Sequence, residues 1–352
     1  MFRYDTSRSY RWNYEHAPDP IERDVPEWPG DWTFCGLKVD SPLGIPAGPL
    51  LNGKWCLYYA SLGFDIVTYK TVRSGARGCY APPNLVPVRV DTMTSCESPV
   101  PPSESMDGTW AVSFGMPSAA PDVWRRDVEW TRDRLPAEKL LCVSVVGTTE
   151  PGWSMQQLAE DYALCAKWAL ESGADVVEVN FSCPNVSTCD GQLYQDPVGS
   201  RLVAQTVRQA IGQLPLVIKI GHETDDDATR NLINAVADST TALAMTNSIA
   251  AQVGMNSERL LFEGEKRGIC GTAIHESSVQ QVRRFNQIQG EGDHQLRWIG
   301  VGGIDRYAAV QNFLEAGAES CQLATSIMVD PEIGIRIREH CAREVVDANG
   351  RA

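Results

Sequence analysis

The feature that most constrains the fold is an alternation of short apolar runs with longer helical stretches, repeated eight times along the chain. The short runs are rich in β-branched residues, as is typical of parallel strands that helices cover on both faces. Eight such βα units without a second compositional region predict one closed (β/α)8 TIM barrel, an α/β fold. An open doubly wound sheet is the alternative, but it normally has a Gly-x-Gly-x-x-Gly turn after its first strand, and we find none.

The alternation places the individual elements. We predict strands at 43–47, 65–70, 141–146, 176–180, 216–220, 241–247, 298–302 and 320–324. We predict helices at 154–171, 199–211, 226–236, 276–288, 307–316 and 331–345. Residues 1–36 show no regular period and predict an extended arm that packs on a barrel formed by residues 37–352.

Two connections are too long to be simple turns, and they run from about 71 to 140 and from about 249 to 274. Connections longer than about 12–15 residues are usually functional. Both follow the carboxyl end of a predicted strand, the face on which barrels of this kind carry their active sites. We therefore expect these long insertions to build a lid over that face.

Composition excludes several classes of partner. The chain has 31 Lys and Arg against 45 Asp and Glu, a formal net charge of −14, which argues against nucleic acids and anionic membranes. Its 11 cysteines include no Cys-x-x-Cys pair, so we expect no iron–sulfur cluster, no zinc or other metal site, and reduced thiols. We find neither a signal-like segment nor a run of about 18 apolar residues, and we expect a cytoplasmic protein without a membrane partner.

Polar side chains recur where the predicted strands end, at Lys70, Asn180, Lys219 and Asn247. Partly buried polar groups need partners, so their repetition predicts a polar pocket at one mouth of the barrel. A lysine there can stabilise negative charge on a flavin or form an imine, as in aldolases, and the residues alone leave both alternatives open.

A phosphate site is predicted after the last two strands. Gly302 and Gly303 follow the seventh strand, and Ala324, Thr325 and Ser326 follow the eighth. Small residues there let backbone N–H groups approach an anion, and barrels often bind phosphate at this position. A tight turn that merely needs small residues is the structural alternative.

The loop after the fourth strand carries the candidate base. Cys183 precedes Pro184, and Asn180 and Asn185 flank it with amide groups suited to a carboxylate or an amide. A partly deprotonated thiol in such a loop can accept a proton. A half-buried structural thiol is the commoner fate of a cysteine, and Cys189 is the weaker second candidate.

Asn180-Phe181-Ser182-Cys183-Pro184-Asn185 resembles the active-site loop of dihydroorotate dehydrogenases of the cysteine-using class 1, whereas class 2 enzymes have serine in place of the cysteine. Other segments resemble the family's motifs in the family's order, over roughly residues 37–330. They are Pro46-Ala47-Gly48, Thr68-Tyr69-Lys70-Thr71, Ser113-Phe114-Gly115-Met116-Pro117, Lys219, Thr246-Asn247-Ser248-Ile249, Gly268-Ile269-Cys270-Gly271 and Gly300-Val301-Gly302-Gly303-Ile304.

The resemblance implies bound flavin mononucleotide (FMN) and dihydroorotate as substrate. Cys183 would take a proton beside a carbonyl while hydride passes to flavin N5, with Lys70 as a further catalytic group. The implied substrate ligands are Lys70, Ser113, Asn180, Asn185 and Asn247. The implied cofactor ligands are Ala47, Gly48, Lys70, Thr71, Asn180, Lys219, Ser248, Gly271, Gly302, Gly303, Ala324, Thr325 and Ser326.

One position departs from the family pattern. Val112 stands where the family has an asparagine that contacts the orotate ring, and its side chain cannot form a hydrogen bond. A second hypothesis is therefore the same chemistry on another small cyclic amide or a specialised metabolite, and a third is a flavin-free lysine-dependent aldolase or lyase. We expect a separate electron acceptor, either soluble or a partner subunit, and a homodimer such as class 1 relatives often form.

Overall fold

A computed structural model describes residues 1–94, 98–182, 192–292 and 294–349, except for the side chains of 345–349. In chain order the strands are β1 (Trp32–Phe34), β2 (Leu37–Val39), β3 (Leu43–Ile45), β4 (Ile66–Val72), β5 (Leu85–Pro87), β6 (Thr109–Val112), β7 (Leu140–Val145), β8 (Val176–Asn180), β9 (Leu216–Lys219), β10 (Ala242–Met245), β11 (Ile249–Ala251), β12 (Arg267–Gly271), β13 (Arg297–Val301) and β14 (Ser320–Gln322). The helices are α1 (Tyr10–Glu15), α2 (Gly53–Ala60), α3 (Pro121–Arg132), α4 (Met155–Glu171), α5 (Pro197–Ile211), α6 (Asp226–Val236), α7 (His275–Gln289), α8 (Tyr307–Glu315), α9 (Thr325–Val329) and α10 (Ile333–Asn349).

Eight parallel strands close into a barrel in the order β10-β13-β14-β3-β4-β7-β8-β9. This confirms the predicted (β/α)8 fold. Each predicted strand is present, with ends that differ by up to two residues, and β8 coincides with its prediction. The six predicted helices are present as α4, α5, α6, α7, α8 and α10.

Local signals explain where several helices begin. Ser154 and Gln157 form a reciprocal capping box at the start of α4. Asp196 accepts a hydrogen bond from the N–H of Val198 at the start of α5, and Pro197 occupies its first position. Asp225 likewise caps α6. Helices α2 and α3 were not predicted; α2 begins after the cap Asn52 and is buried over almost its whole length.

Side chains that point into the barrel form a core of their own. Ile66, Cys142, Val176 and Ile299 belong to it, and Phe34 of the β1–β2 hairpin packs against them. The hairpin therefore covers the end of the barrel opposite to the carboxyl ends of the strands. This leaves the carboxyl end as the open mouth.

The two long insertions pair with each other. Strands β5 and β6 of the first insertion and β11 and β12 of the second form a four-stranded sheet in the order β11-β12-β6-β5. The central pair is antiparallel, and it aligns Gly268 with Val112 and Cys270 with Trp110. The insertions that we expected to build a lid thus form an ordered sheet, which the sequence pattern did not predict.

The N-terminal arm is not extended throughout. Ser9 caps the short helix α1, and residues 32–34 belong to strand β1. The rings of Tyr4 and Tyr10 contact that of Phe114 in the first insertion, with centroids 5.9 and 5.8 Å apart. Among the described residues, no helix is both long and apolar enough to cross a lipid bilayer.

Candidate active site

A cavity of about 320 Å³ opens at the carboxyl ends of the barrel strands. It brings together six residues that the sequence predicted as cofactor ligands, one of them from β12 of the insertion sheet and the rest from the ends of β13 and β14. They are Gly271, Gly302, Gly303, Ala324, Thr325 and Ser326. Asn247, which follows β10, lines the same cavity.

Three of these positions have room only for glycine. Gly271, Gly302 and Gly303 have φ values of 112°, 136° and 64°, in the region that favours glycine. A Cβ on Gly303 would lie 2.7 Å from the carbonyl oxygen of Gly271, and one on Gly271 would collide with the backbone of Gly108. The backbone therefore forms a close cradle, as the approach of a phosphate to N–H groups requires.

The charges around the cradle are unusual for an anion site. Asp107, Asp305 and Asp330 line it, and no lysine or arginine is among its described lining residues. Asp305 is 2.7 Å from Arg306, and Asp330 is paired with Arg336, so two of the carboxylates are neutralised locally. An anion in this cradle would depend on backbone N–H groups rather than on a cationic side chain.

A hydrogen-bonded set of side chains joins the ends of β8 and β10. The Oδ1 atom of Asn180 accepts from the backbone N–H of Ser182 at 3.0 Å and from its hydroxyl at 2.7 Å. Asn247 donates to the same hydroxyl. The structure thus brings together Asn180 and Asn247, as predicted, through Ser182, which was not singled out from the sequence.

Two lysines are buried at the mouth. Lys70 is 6% and Lys219 is 5% exposed, and no carboxylate of the described residues lies within ion-pair distance of either amine. Lys219 aligns with Asn180 in the β8–β9 register. Burial, together with the positive charge of nearby Arg73, lowers the pKa of Lys70 to about 8. Unpaired cations at a mouth are suited to an anionic ligand.

The remaining predicted cofactor ligands lie at the ends of β3 and β4 and after β10. Ala47 is buried, whereas Gly48 is exposed and has open space on its side-chain position. The hydroxyl of Thr71 is 3.0 Å from that of Ser144 on β7. Ser248 is half-buried and packs against Gly268 of the insertion sheet.

The segment after β6 brings a thioether to the strand ends. The Nδ2 atom of Asn180 is 3.4 Å from Sδ of Met116, which has a φ of 49°. Ser113, predicted as a substrate ligand, accepts a hydrogen bond of 2.9 Å from Nε of Arg267. In the sequence Met116 belongs to a segment that resembles a family motif, and no local pattern predicts its contact with Asn180.

The proposed base and one proposed ligand, Cys183 and Asn185, lie outside the described residues, as does Cys189. Two further contacts near the cradle were missed. His275 at the start of α7 is 3.1 Å from the carbonyl oxygen of Gly302 through Nδ1, and Asn312 of α8 is 3.1 Å from its Nε2. Histidine at a helix start carries no signal that would predict these contacts.

The fold and the site together define a class, a (β/α)8-barrel enzyme with a glycine cradle and a polar, lysine-bearing pocket at one mouth. A family model described as dihydroorotate dehydrogenase matches residues 31–345. The chain therefore belongs to the dihydroorotate dehydrogenase family, whose members are oxidoreductases that act on a CH–CH bond.

Individual relatives agree with this assignment. The chain is 28% identical to a dihydroorotate dehydrogenase of Dictyostelium discoideum, over 95% of both chains. It is 25% identical to a dihydroorotate dehydrogenase (quinone) of Bordetella avium, over 92% of this chain and 85% of the relative. Other relatives are named for fumarate or NAD(+). In fold, it resembles the ligand-free DHODH of Eimeria tenella, with a TM-score of 0.75 and 20% identity over 96% of this chain and 93% of that one.

Proposed function

We propose that the protein is an FMN-dependent oxidoreductase that converts dihydroorotate to orotate, with Cys183 as the base. The observation that carries the proposal is the placement of the glycine cradle beside the Asn180–Ser182–Asn247 set at one mouth. Family membership supports redox chemistry over the imine-forming alternative. The cysteine at position 183 favours the class 1 mechanism.

The residues present fit a flavin mononucleotide. Gly271, Gly302 and Gly303 form a cradle that any Cβ would fill, next to Thr325 and Ser326, and this suits the phosphate. Lys219 would lie near the N1–C2 edge of the ring system and stabilise negative charge there, with Ala47, Gly48 and Thr71 alongside. When bound, the flavin accepts the hydride equivalent that leaves the substrate.

The chain's own groups would then orient the substrate and move one proton. Asn180 and Asn247 have amide groups that can bind a ring amide or a carboxylate, and Ser182 holds both in place. Lys70 adds a positive charge for the substrate carboxylate. Cys183 would accept the proton from the carbon next to the substrate carbonyl, because this carbon is the more acidic of the two.

The electrons must leave to a separate acceptor. Relatives are named for quinone, fumarate and NAD(+), so the family tolerates different acceptors on one barrel. We propose a soluble acceptor or a partner subunit for this chain, and a homodimer as its assembly. Steady-state assays with fumarate, NAD(+) and a water-soluble quinone would identify the acceptor.

The first test combines the absorbance spectrum with a variant of the base. We expect purified protein to be yellow, and dihydroorotate to bleach its visible absorbance under anaerobic conditions. Cys183→Ala should slow this bleaching by roughly 10²–10⁴-fold, as is usual for loss of a general base. Cys341→Ala is the matched control, because the Cys341 thiol lies on α10 near Arg338, away from the mouth.

Two results would contradict the proposal. Protein that is purified without flavin and does not bind added FMN would exclude the redox function. An unchanged bleaching rate in Cys183→Ala would leave the redox function intact and remove Cys183 as its base.

A second candidate is the same chemistry on another small cyclic amide or specialised metabolite. Val112 favours it, because this side chain replaces a hydrogen-bonding asparagine and is half-buried on the side of the insertion sheet that packs against the main core. Bleaching by dihydrouracil but not by dihydroorotate would support this candidate.

A further inference from the structure

The insertion sheet turns an apolar surface toward the mouth. Side chains alternate between the two faces of a strand, so the β5–β6 and β6–β12 registers determine which residues share a face. Ala111, Ile249 and Ile269 lie on the outer face and form a separate small core. The face toward the barrel, here called the apolar ceiling, consists of Leu85, Pro87, Trp110, Val112, Gly268 and Cys270.

Contacts with strand-end residues place the ceiling at the active site. Cys270 lines the same cavity as Asn247, and its Sγ atom is 3.6 Å from the carbonyl oxygen of Asn247. Gly268 packs against Ser248. Except for Trp110, which is buried, the ceiling residues are only half-buried, so they present apolar surface toward the mouth.

The pocket is therefore two-sided in its chemistry. One side carries the amides of Asn180 and Asn247 and the ammonium of Lys70. The ceiling offers no carboxylate, amide, hydroxyl or cationic side chain, and Met116 extends this apolar character down to Asn180. A ring N–H or C=O held against such a surface loses its hydrogen bonds to water without replacement.

We propose that the substrate is an amphipathic cyclic carbonyl compound, with a carboxylate or carbonyl edge toward Asn180, Asn247 and Lys70 and a hydrocarbon edge toward the apolar ceiling. This inference rests on the redox chemistry and the site of the proposed function, and it favours the second candidate of that function, another small cyclic substrate, over dihydroorotate. Dihydroorotate has N–H and C=O groups around most of its ring, so one or more would face the ceiling unpaired. Each unpaired group weakens binding by about 5- to 150-fold.

The test uses two ligands that differ only in the polar part of the ring. Orotate is compared with 3-oxocyclohex-1-ene-1-carboxylate, which keeps the carboxylate, the carbon–carbon double bond and the conjugated carbonyl but has methylene groups in place of the N–C(=O)–N segment. Affinities for the purified protein are measured by titration calorimetry, and the absorbance spectrum reports separately whether flavin is bound. We expect the carbocycle to bind at least tenfold more tightly than orotate.

Variants of Val112 supply the specificity control. Val112→Asn introduces an amide into the ceiling and should shift the affinity ratio toward orotate by tenfold or more. Val112→Ala removes volume without adding a polar group and should leave the preference for the carbocycle in place. Thermal unfolding of both variants checks that each one is folded.

The outcomes separate this inference from the proposed function. Tighter binding of orotate by the unmodified protein, binding of neither ligand, or equal shifts in the two variants would overturn the amphipathic substrate class. Absence of flavin from the spectrum and from FMN titrations would instead overturn the proposed redox function, while the calorimetric preference would still decide the substrate class.

Discussion

Lys70 is a cation buried where the substrate is proposed to bind. Burial and the neighbouring Arg73 both disfavour its charged form, so its pKa falls to about 8. Below that pH the ammonium is present and attracts a carboxylate, whereas above it the amine becomes neutral. The charge state of one side chain can therefore set how the site responds to pH.

We expect the affinity for an anionic substrate to fall as pH rises above about 8. The protonated lysine binds the anion and the neutral amine does not, so the loss approaches tenfold per pH unit well above the pKa. Lys70→Met should bind an anionic ligand roughly 10- to 150-fold more weakly at pH 7, the range for a charge-assisted hydrogen bond, and should lose this pH dependence. Calorimetric titrations of orotate between pH 6.5 and 9.5 would measure both effects.

Lys54→Met is the matched control for this prediction. Lys54 is an exposed lysine that pairs with Asp19 at 3.3 Å, so its removal changes the net charge equally without touching the mouth. An unaltered pH profile in Lys70→Met, or the same change in Lys54→Met, would contradict the role given to Lys70.

Individual roles could be predicted only where the residue type decides the chemistry. Glycine and asparagine at strand ends pointed to the cradle and to the Asn180–Asn247 set. Ser113 shows the limit, because the partner of its hydroxyl depends on how β6 pairs with β12. Its hydroxyl bonds to Arg267, a residue 154 positions away. No local pattern contains that information.

At the scale of elements, the cradle depends on the close approach of the ends of β12 and β13 to the start of α7. Gly303 follows β13, and its α-carbon faces the carbonyl oxygen of Gly271 on β12 and the side chain of His275 on α7. A Cβ at residue 303 would lie 2.7 Å from the carbonyl oxygen of Gly271 and 2.7 Å from Cβ of His275. Neither neighbour can therefore remain in place if residue 303 carries a side chain.

We expect Gly303→Ala to weaken FMN binding by more than tenfold. The new Cβ would push Gly271 out of the cradle, and the positive φ of 64° would add strain of about 1–2 kcal/mol. Gly212→Ala is the matched control, since Gly212 has a φ of 61° but no atom within 4 Å of its Cβ position. Quenching of FMN fluorescence by flavin-free protein would measure the FMN affinities. Urea unfolding would measure the loss of unfolding free energy that the strain causes.

The expected contrast lies in binding rather than in stability. Both variants should lose unfolding free energy because their positive φ disfavours a side chain, and only Gly303→Ala should lose FMN affinity. Equal FMN affinities in the two variants would mean that the cradle is not the phosphate site.

Strands buried on both faces were the easiest elements to predict. Val176–Asn180 contains three β-branched valines and is buried throughout, and β8 coincides with the prediction. The insertion sheet was missed because β5, β6, β11 and β12 are short and pair with residues far away in sequence. Pairing of this kind follows from the closed barrel, which brings the two insertions together, and not from any local pattern.

At the scale of the whole molecule, the barrel interior contains a carboxylate without a partner. Glu178 points inward from β8, is 1% exposed, and neither of its oxygens forms a hydrogen bond with the described residues. Burial raises the pKa of the Cys142 thiol, Glu178 raises it further, and Lys219 lowers it, so both charges act on the same interior. A buried polar group without partners destabilises a fold.

We expect Glu178→Met to raise the free energy of unfolding of the flavin-free protein by about 1–3 kcal/mol. Methionine has a similar volume and removes both unpaired oxygens. Glu178→Gln keeps the shape and two polar atoms, so its gain should be smaller. Urea denaturation at pH 7.5 would measure the free energies of unfolding, which we expect to be highest with methionine at position 178, intermediate with glutamine and lowest with glutamate. Lower stability in both variants would show that the carboxylate supports the charge of Lys219.

The pairing of β6 with β12 also has a consequence for how the protein matures. Gly271 belongs to that pair and also to the cradle, so the proposed FMN site is complete only when two insertions distant in sequence have docked. Such non-local pairing is slow to form compared with local helices. Flavin uptake during refolding would therefore mark the last stage of assembly, and chains that mispair their insertions would accumulate as barrels that cannot load cofactor.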